Sequence, residues 1–300
     1  MSSATKSATN VKKIKVHKRP KRLNRSRFGN VMIFLVLLVF GVYSVLPMIM
    51  AVTQSLKPMS ELYIYPPKIF VSRPTLDNFR TLFDLLSTSW VPFSRYVFNT
   101  VFVSVVGTVG HIIIASMCAY PLAKYPKMPG NKLISAIIVY SLMISPAVTD
   151  IANYQTMASL RLIDTYWAVL LPAFGASFGL YLMRQFMGQI SDSLIEAAKI
   201  DGAGDFRIYI QIIMPNVKPA WLTLALFSFQ SLWNSTSSTY IFSEELKTLP
   251  YALNQIASGG IARAGAAAAV VVVMMVVPII FFIVSQSSIM ETMASSGLKE

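Results

Sequence analysis

The chain has 300 residues, of which 54% are hydrophobic and only 13% are charged, and this excludes an ordinary soluble globular or disordered protein. The net charge of +13 could indicate nucleic-acid binding, but ten of the 26 Lys and Arg residues lie in the first thirty positions, directly before an apolar run. We therefore expect contact with membrane lipid and none with nucleic acid.

The charges divide the chain into a tail and a membrane domain. Residues 1–27 are predicted to be a disordered basic cytoplasmic tail, and residues 28–300 a single transmembrane domain. Six long uncharged gaps mark the candidate spans: Arg27 to Lys57, Arg95 to Lys124, Lys132 to Asp150, Asp164 to Arg184, Lys218 to Glu244, and Arg263 to Glu291. Each fits the roughly 20 apolar residues that cross a bilayer. In lipid, the backbone N–H and C=O groups of an isolated span must form hydrogen bonds within that span. We therefore predict an all-α protein with six transmembrane helices.

The basic tail also predicts the orientation. Positive charges favour the cytoplasmic side, and the short segment after the second span adds Lys124, Lys127 and Lys132 without an acidic residue. An even number of spans then returns the C-terminus to the same side. Both termini are expected inside, and so is the segment of about residues 187–218.

That segment is predicted to form two short helices. Ser193 and Glu196 have the spacing of a capping box, which would start the first helix. Ile190, Leu194 and the pair Ala197 and Ala198 would share its apolar face.

Glycine and proline mark the remaining boundaries of the segment. Gly202 is expected to end the first helix and Asp205 to cap the second, whose apolar side would hold Phe206, Tyr209, Ile210 and Ile213. Pro215 would end the second helix, and Pro219 would open the fifth span, since proline is tolerated in a first helical turn.

Four polar or aromatic residues of the spans are candidates for a translocation path. Gln230, Trp233 and Asn234 place amides beside an indole, which suits a sugar, although an interfacial tryptophan with interhelical hydrogen bonds explains them equally well. His111 is an ionisable group inside a span and so a functional candidate. A neutral histidine hydrogen-bonded to a neighbouring helix is the simpler interpretation.

The residues of the 187–218 segment resemble a known motif. Glu196-Ala197-Ala198, then Gly202, then Ile212 and Pro215 are similar to the EAA loop of ATP-binding-cassette (ABC) importer permeases. Further segments resemble the carbohydrate-uptake branch, above all its maltose-type six-span permease: Pro74 to Phe79, Asn99-Thr100, Ala119 to Lys124, Trp233-Asn234, Thr248 to Pro250, and Gly297 to Lys299.

This resemblance implies the type I ABC importer permease fold, a multi-pass protein in the cytoplasmic membrane of a prokaryote, and a role in importing a sugar, which we expect to be an oligosaccharide. The implied partners are a homologous second permease, two cytoplasmic ATPase subunits and an extracytoplasmic sugar-binding protein. In the family the EAA loop is a coupling helix that fits a cleft of the ATPase. Carried over by position, the coupling residues are Glu196, Ala197, Ala198, Asp201, Gly202, Ala203 and Pro215.

Catalysis by this chain itself is not expected. The sequence contains neither a G-x-x-x-x-G-K-[ST] phosphate loop nor an H-E-x-x-H motif, so ATP and Mg would be bound by the partner ATPase subunits. The chain is predicted to hold no cofactor or metal and to have no catalytic residues.

Three other functions are compatible with parts of the sequence. The same machine could carry a non-sugar solute, because the loop motif is shared across importers. An ion-coupled secondary transporter would need charged residues at the middle of the bilayer, which six uncharged spans do not supply. An intramembrane enzyme would need paired catalytic groups, and the sequence offers none.

Overall fold

The computed structural model describes residues 27–66, 68–87 and 91–296, and within these ranges every regular element is a helix. The all-α prediction is confirmed. The predicted tail, up to residue 26, lies outside the described residues. The α-helices in chain order are α1 Arg27–Ser55, α2 Met59–Leu62, α3 Asp77–Ser87, α4 Phe93–Lys124, α5 Asn131–Met143, α6 Pro146–Ser159, α7 Tyr166–Phe174, α8 Ser177–Gly188, α9 Asp192–Ile200, α10 Asp205–Ile208, α11 Met214–Asn216, α12 Lys218–Trp233, α13 Leu249–Ala257 and α14 Ala264–Ser296.

Helix α1 is divided between two compact units, of which the first ends at Ile49 and the second begins at Met50. From Phe28 onward the helix of the first unit is apolar on all sides, and its side chains are almost all exposed. A helix that is hydrophobic all round is typical of a membrane span rather than of a water-facing surface.

Four described helical segments are long and apolar enough to cross a membrane, and the number rises to six if each of two bent helix pairs is one span. The four are Phe28–Ser55, Phe93–Lys124, Tyr166–Gly188 and Ala264–Gln286. The first bent pair turns by 114° between α5 and the part of α6 from Val148 onward. The second turns by 78° between Asp205–Asn216 and α12, so that only α12 falls within the fifth predicted gap.

Helix α4 lies at the centre of the second unit, where it packs against α7, α8 and α12. Small residues on α4, Ala115 and Ala119, are buried beside Met183 and Met187 of α8 and Leu224 of α12. Small side chains let helices approach closely, which is a common basis for helix association in membranes.

A second core lies near the first residue of α4. It joins α3, α13 and α14 through Leu82, Tyr96, Leu253 and Ala269. The side-chain amide of Asn78, at the start of α3, donates to the carbonyls of Ser55 and Lys57, both at 2.8 Å. The two cores pack chain segments against both ends of α4.

Candidate functional site

The segment between α8 and α12, residues 189–217, is here called the Glu196 loop. It consists of two helical stretches joined by a tight turn, as predicted. Helix α9 ends at Ile200, and the second stretch runs from Asp205 through a π-helical turn at Tyr209–Ile213 to Asn216. Pro215 lies inside this second stretch, which ends one residue later than expected.

Gly202 closes α9 through a Schellman motif. Its own N–H donates to the Lys199 carbonyl at 3.0 Å, and the Ala203 N–H donates to the Ala198 carbonyl at 2.9 Å. The φ of Gly202 is +80°, in the left-handed region that this motif needs and that residues with a Cβ adopt at a cost. The spacing of Glu196, Ala198 and Gly202 is therefore that of a short helix with a glycine end.

The predicted caps of the two helices are wrong in detail. The N-cap of α9 is Ser191, and the Ser193 hydroxyl bonds to the Ser191 hydroxyl at 2.7 Å instead of forming a box with Glu196. Asp205 is the first residue of α10, after the N-cap Gly204. Its carboxylate is free for other partners because it does not cap the helix.

The buried face of the loop at α9 agrees with the predicted one at Ile190 and Ala198 and differs at Leu194 and Ala197. Ile195 and Ala198 are 7% exposed and pack into the core of α4, α8 and α12, whereas Leu194 and Ala197 are exposed. Both pairs have helical i, i+3 spacing, so the pattern alone fits either face. Docking on the bundle selects the pair Ile195 and Ala198.

The buried side of the second stretch also departs from the prediction. Ile208 and Ile213 are fully buried, and Tyr209 donates to or accepts from the Ser116 hydroxyl of α4 at 2.6 Å. Phe206 and Ile210, which were predicted on the same side, are 67% and 47% exposed. The π-helical turn changes the rotation per residue after Ile208, and a regular 3.6-residue repeat does not anticipate this.

Ion pairs and hydrogen bonds fasten the loop to the last residues of α4. Lys124 Nζ lies 2.8 Å from Asp192 Oδ1 and also donates to the Ile190 carbonyl. The Tyr125 hydroxyl donates to Asp205 Oδ1 at 2.6 Å, and Lys199 Nζ lies 3.3 Å from the same oxygen. These partners, first the Tyr125 hydroxyl and then the Lys199 ammonium, hold the pKa of Asp205 below its usual range. The Asp205 carboxylate therefore keeps these two contacts at neutral pH.

The outward face of the loop is partly apolar. It is formed by Glu196, Ala197, Ile200, Asp201, Gly202 and Phe206, all of them exposed. Ile200, at 86% exposure, is the most exposed large apolar side chain of the loop. Sequence reasoning missed Ile200, and it placed Phe206 on the inward side. Among the predicted coupling residues, Ala198 is buried and Ala203 is half-buried, so both support the loop from within.

The four predicted path residues do not converge on one cavity. His111 lines a cavity of about 470 Å³ with Phe178, Phe227 and Ser228. Gln230 lines a separate cavity of about 310 Å³ against α14. Trp233 is 5% exposed and donates to the Met274 carbonyl of α14 at 3.2 Å, and the Asn234 amide donates to the Gln230 carbonyl at 2.8 Å.

His111 joins three helices. Its Nδ1 lies 2.7 Å from the Ser228 hydroxyl of α12, and its Nε2 lies 3.1 Å from the Ala176 carbonyl, where the helical chain breaks between α7 and α8. A carbonyl can only accept, so Nε2 carries the hydrogen and donates, and a neutral ring then accepts at Nδ1 from the serine. Both ring nitrogens are thus satisfied within the protein.

Gly179 allows the close approach of this imidazole. A Cβ at Gly179 would lie 2.3 Å from His111 Nε2, whereas one at Gly188 of the same helix would meet no heavy atom of the described residues within 4 Å. We expect Gly179→Ala to destabilise the protein by about 1–3 kcal/mol through overpacking. Gly188→Ala is expected to be neutral or slightly stabilising. Thermal unfolding in detergent tests this, and equal midpoints for the two variants would contradict the close packing.

The residues at the other end of α4 fix the segment between α12 and α13, residues 234–248, here called the Glu244 loop. The Asn99 amide donates to the carbonyls of Glu245 and Lys247, each at 2.8 Å. Asp164, with a φ of +63°, accepts from the N–H groups of Phe242 and Ser243 at 2.9 and 2.8 Å. Bonds from the Ser243 hydroxyl and backbone lower the pKa of the Asp164 carboxyl.

No group of three or more His, Cys, Asp or Glu residues within the described ranges could hold a metal ion. The exposed apolar and charged side chains of the Glu196 loop suit recognition of another protein surface.

Comparison with known proteins gives a consistent result. The family model described as "Binding-protein-dependent transport system inner membrane component" matches residues 26–291. The chain is 31% identical to the polygalacturonan/rhamnogalacturonan transport system permease protein YtcP of Bacillus subtilis (strain 168), over 75% of this chain and 76% of that protein. It is 29% identical to the arabinooligosaccharides transport system permease protein AraQ of Halalkalibacterium halodurans, over 70% of this chain and 75% of that protein.

A solved structure has the same fold. It is the crystal structure of a bacterial ABC transporter involved in the import of the acidic polysaccharide alginate. One of its chains superposes with a TM-score of 0.73 at 22% identity, which covers 88% of this chain and 98% of that chain.

Proposed function

The chain belongs to the inner membrane components of binding-protein-dependent transport systems, and on this basis we propose that it is one permease subunit of an ATP-driven importer of an oligosaccharide. The importer would contain a second, homologous permease and two ATPase subunits, and it would receive its sugar from an extracytoplasmic binding protein. The relatives named for arabinooligosaccharides and for polygalacturonan support an oligosaccharide cargo.

The observation that carries the proposal is the outward face of the Glu196 loop. It exposes Ile200 and Phe206 to 86% and 67%, next to the charged side chains of Glu196 and Asp201. An apolar patch rimmed by charges is typical of a protein–protein contact. In this proposal the face docks into the ATPase subunit, with Glu196 as a charge partner, and the loop lies on the cytoplasmic side.

The inward residues of the loop have a different role in the proposal. Ile195 and Ala198 anchor α9 on the bundle, and the half-buried Ala203 fixes the turn, whereas Pro215 is exposed in the second helical stretch. Closure of the two ATPase copies on ATP would displace the face, and the anchored loop would move the spans with it. Access to the cavities of the bundle would then alternate between the two sides of the membrane.

Only two of the four candidate path residues are proposed to contact the sugar. Trp233 and His111 are buried and spend their polar atoms on helix–helix contacts, which favours a packing role. Gln230 and Asn234 are exposed, so they are the better candidates for contact with a passing sugar. The termini are proposed to lie inside, which follows from the basic tail.

Transport by the reconstituted complex tests the proposal. The chain would be co-purified with its co-expressed permease, ATPases and binding protein, and placed in proteoliposomes with ATP inside. We expect uptake of a labelled oligosaccharide that requires both ATP and the binding protein. Uptake driven by an ion gradient without ATP would refute the proposal, and ATP-dependent uptake of a non-sugar solute alone would refute the oligosaccharide assignment.

A further inference from the structure

Helix α4 holds one loop at each of its ends. It is a continuous helix of 32 residues, Phe93–Lys124, and at about 1.5 Å per residue it is about 48 Å long. Its first two turns contact the Glu244 loop, and its last residues contact the Glu196 loop. The two loops therefore share a single rigid element.

The contact of α4 with the Glu244 loop is buried, and the polar side-chain atoms of Asn99 all have hydrogen-bond partners. Asn99 is completely buried, and both hydrogens of its amide go to backbone carbonyls of the loop, those of Glu245 and Lys247. Its amide oxygen accepts from the Tyr166 hydroxyl at 2.7 Å. An asparagine amide has two donor hydrogens, so the side-chain donor capacity of Asn99 is spent entirely on two residues of this loop.

The neighbouring residue extends the contact to the start of α13. The Thr100 hydroxyl accepts from the Leu249 N–H at 2.7 Å and donates to the Tyr96 carbonyl within α4 at 2.8 Å. Backbone from residue 245 to residue 249 is thus held by two adjacent side chains of α4. It cannot shift relative to the helix without leaving buried polar groups unpaired, which is costly.

The contact at the other end involves exposed carboxylates, since the side chains of Asp192 and Asp205 are 78% and 61% exposed. Lys124 has a buried side chain, 4% exposed, and pairs with Asp192 of α9. Tyr125, the residue that follows α4, binds Asp205 at the start of α10. Each helical stretch of the Glu196 loop is therefore bound to the end of α4 by its own side-chain contact.

We propose that α4 acts as a rigid link that carries displacements of the Glu196 loop to residues 245–249, with Asn99 and Thr100 as the positioning residues of that segment. The proposal rests on the proposed function, in which the Glu196 loop faces the ATPase. The Glu244 loop then faces the opposite side of the membrane. Coupling between two sites is reciprocal. A partner that binds at the Glu244 loop therefore acts back on the ATPase through the same helix.

The test follows the Glu244 loop in the assembled complex in lipid nanodiscs. Glu245 has an exposed side chain and its carbonyl is one of the held groups, so an environment-sensitive fluorophore is attached at Glu245→Cys in a Cys118→Ser background. With the parent complex we expect a change of emission when ATP is added without binding protein. With Asn99→Ala we expect at least a fivefold smaller change, while the basal ATPase rate stays within twofold.

Two matched variants separate the link from general damage. Asn254, an exposed residue of α13, gives the control Asn254→Ala, which should keep the full emission change. Thr100→Val removes the hydroxyl with little change of shape and should lose the response, whereas Thr100→Ser keeps the hydroxyl and should restore it. The comparison of Thr100→Val with Thr100→Ser tests the rigid link even where Asn99→Ala assembles poorly.

The remaining variants test the other end of the link. Asp192→Asn combined with Tyr125→Phe removes the charge and the hydroxyl that bind the loop to α4, and it should also abolish the ATP-dependent change at Glu245→Cys. A full emission change in both Thr100→Val and this double variant would overturn the link and leave the proposed function intact. A parent complex that shows no response to ATP or to sugar-loaded binding protein would refute both.

Discussion

Gly202→Ser is expected to lower ATP-dependent uptake by about 5–30-fold while the subunit still inserts and assembles. Gly202 has a φ of +80°, and a residue with a Cβ in this left-handed conformation costs roughly 1–2 kcal/mol. That cost disfavours the bent form of the Glu196 loop by a factor of about 5–30. ATP hydrolysis should continue, because the substitution lies outside the ATPase, so the ratio of sugar moved to ATP hydrolysed falls.

The same chemical change two residues away is the control. Gly204 has a φ of −70° and is the N-cap of α10, and a Cβ there would meet no heavy atom of the described chain within 4 Å. Serine is favoured at N-caps, so Gly204→Ser should transport normally. Equal uptake by the two variants would mean that the left-handed turn is not needed for coupling.

Phe206→Asp is expected to prevent stable association with the ATPase subunits. Phe206 is 67% exposed, so the fold of the permease itself should tolerate the change. Aromatic residues at the centre of an interface commonly contribute 2 kcal/mol or more, and the substitution would also bury an unpaired charge. Affinity for the ATPase should therefore fall by at least about 30-fold, as measured by co-purification at graded salt and protein concentration.

An equally exposed aromatic residue on the other loop provides the comparison. Phe242 is 57% exposed and lies in the Glu244 loop at the opposite end of α4. Phe242→Asp should leave ATPase association unchanged. Loss of association in both variants would indicate a general folding defect, and retention in both would remove Phe206 from the docking face.

The membrane architecture was predictable because it depends on one strong property of the sequence. Six uncharged gaps are visible without any structural information, and each overlaps one of the membrane-length segments or a helix of a bent pair. The bends were not predictable. The turn near Ser145 precedes Pro146 at the start of α6, but a proline alone does not distinguish a kinked span from two separate helices.

The Glu196 loop shows where periodicity fails. Leu194 with Ala197 and Ile195 with Ala198 are two apolar pairs one residue apart, and only contact with the bundle decides that the second is buried. The π-helical turn further displaces Ile210 from the expected side. By contrast, the position of the turn could be predicted, because glycine in a helix C-terminal motif has a conformational cause.

The polar residues of the spans show a second limit. Asn99 and Thr100 were recognised only as a pair that resembles a family motif, because hydrogen bonds between residues about 145 positions apart leave no local pattern. A donor to a backbone carbonyl, such as Trp233, is likewise indistinguishable in sequence from one that faces a cavity. Chemistry suggested a common path for His111 and Gln230, but the two residues line different cavities.

Native mass spectrometry of the tagged chain, extracted gently from its own membrane, tests the central claim most directly. The proposed function predicts a complex with one copy of this chain, one homologous permease and two ATPase subunits. The Phe206→Asp variant should retain the second permease and lose the ATPases. Recovery of the chain alone, or only with copies of itself, under conditions that preserve a control complex would contradict the claim that it works as one subunit of a heteromeric importer.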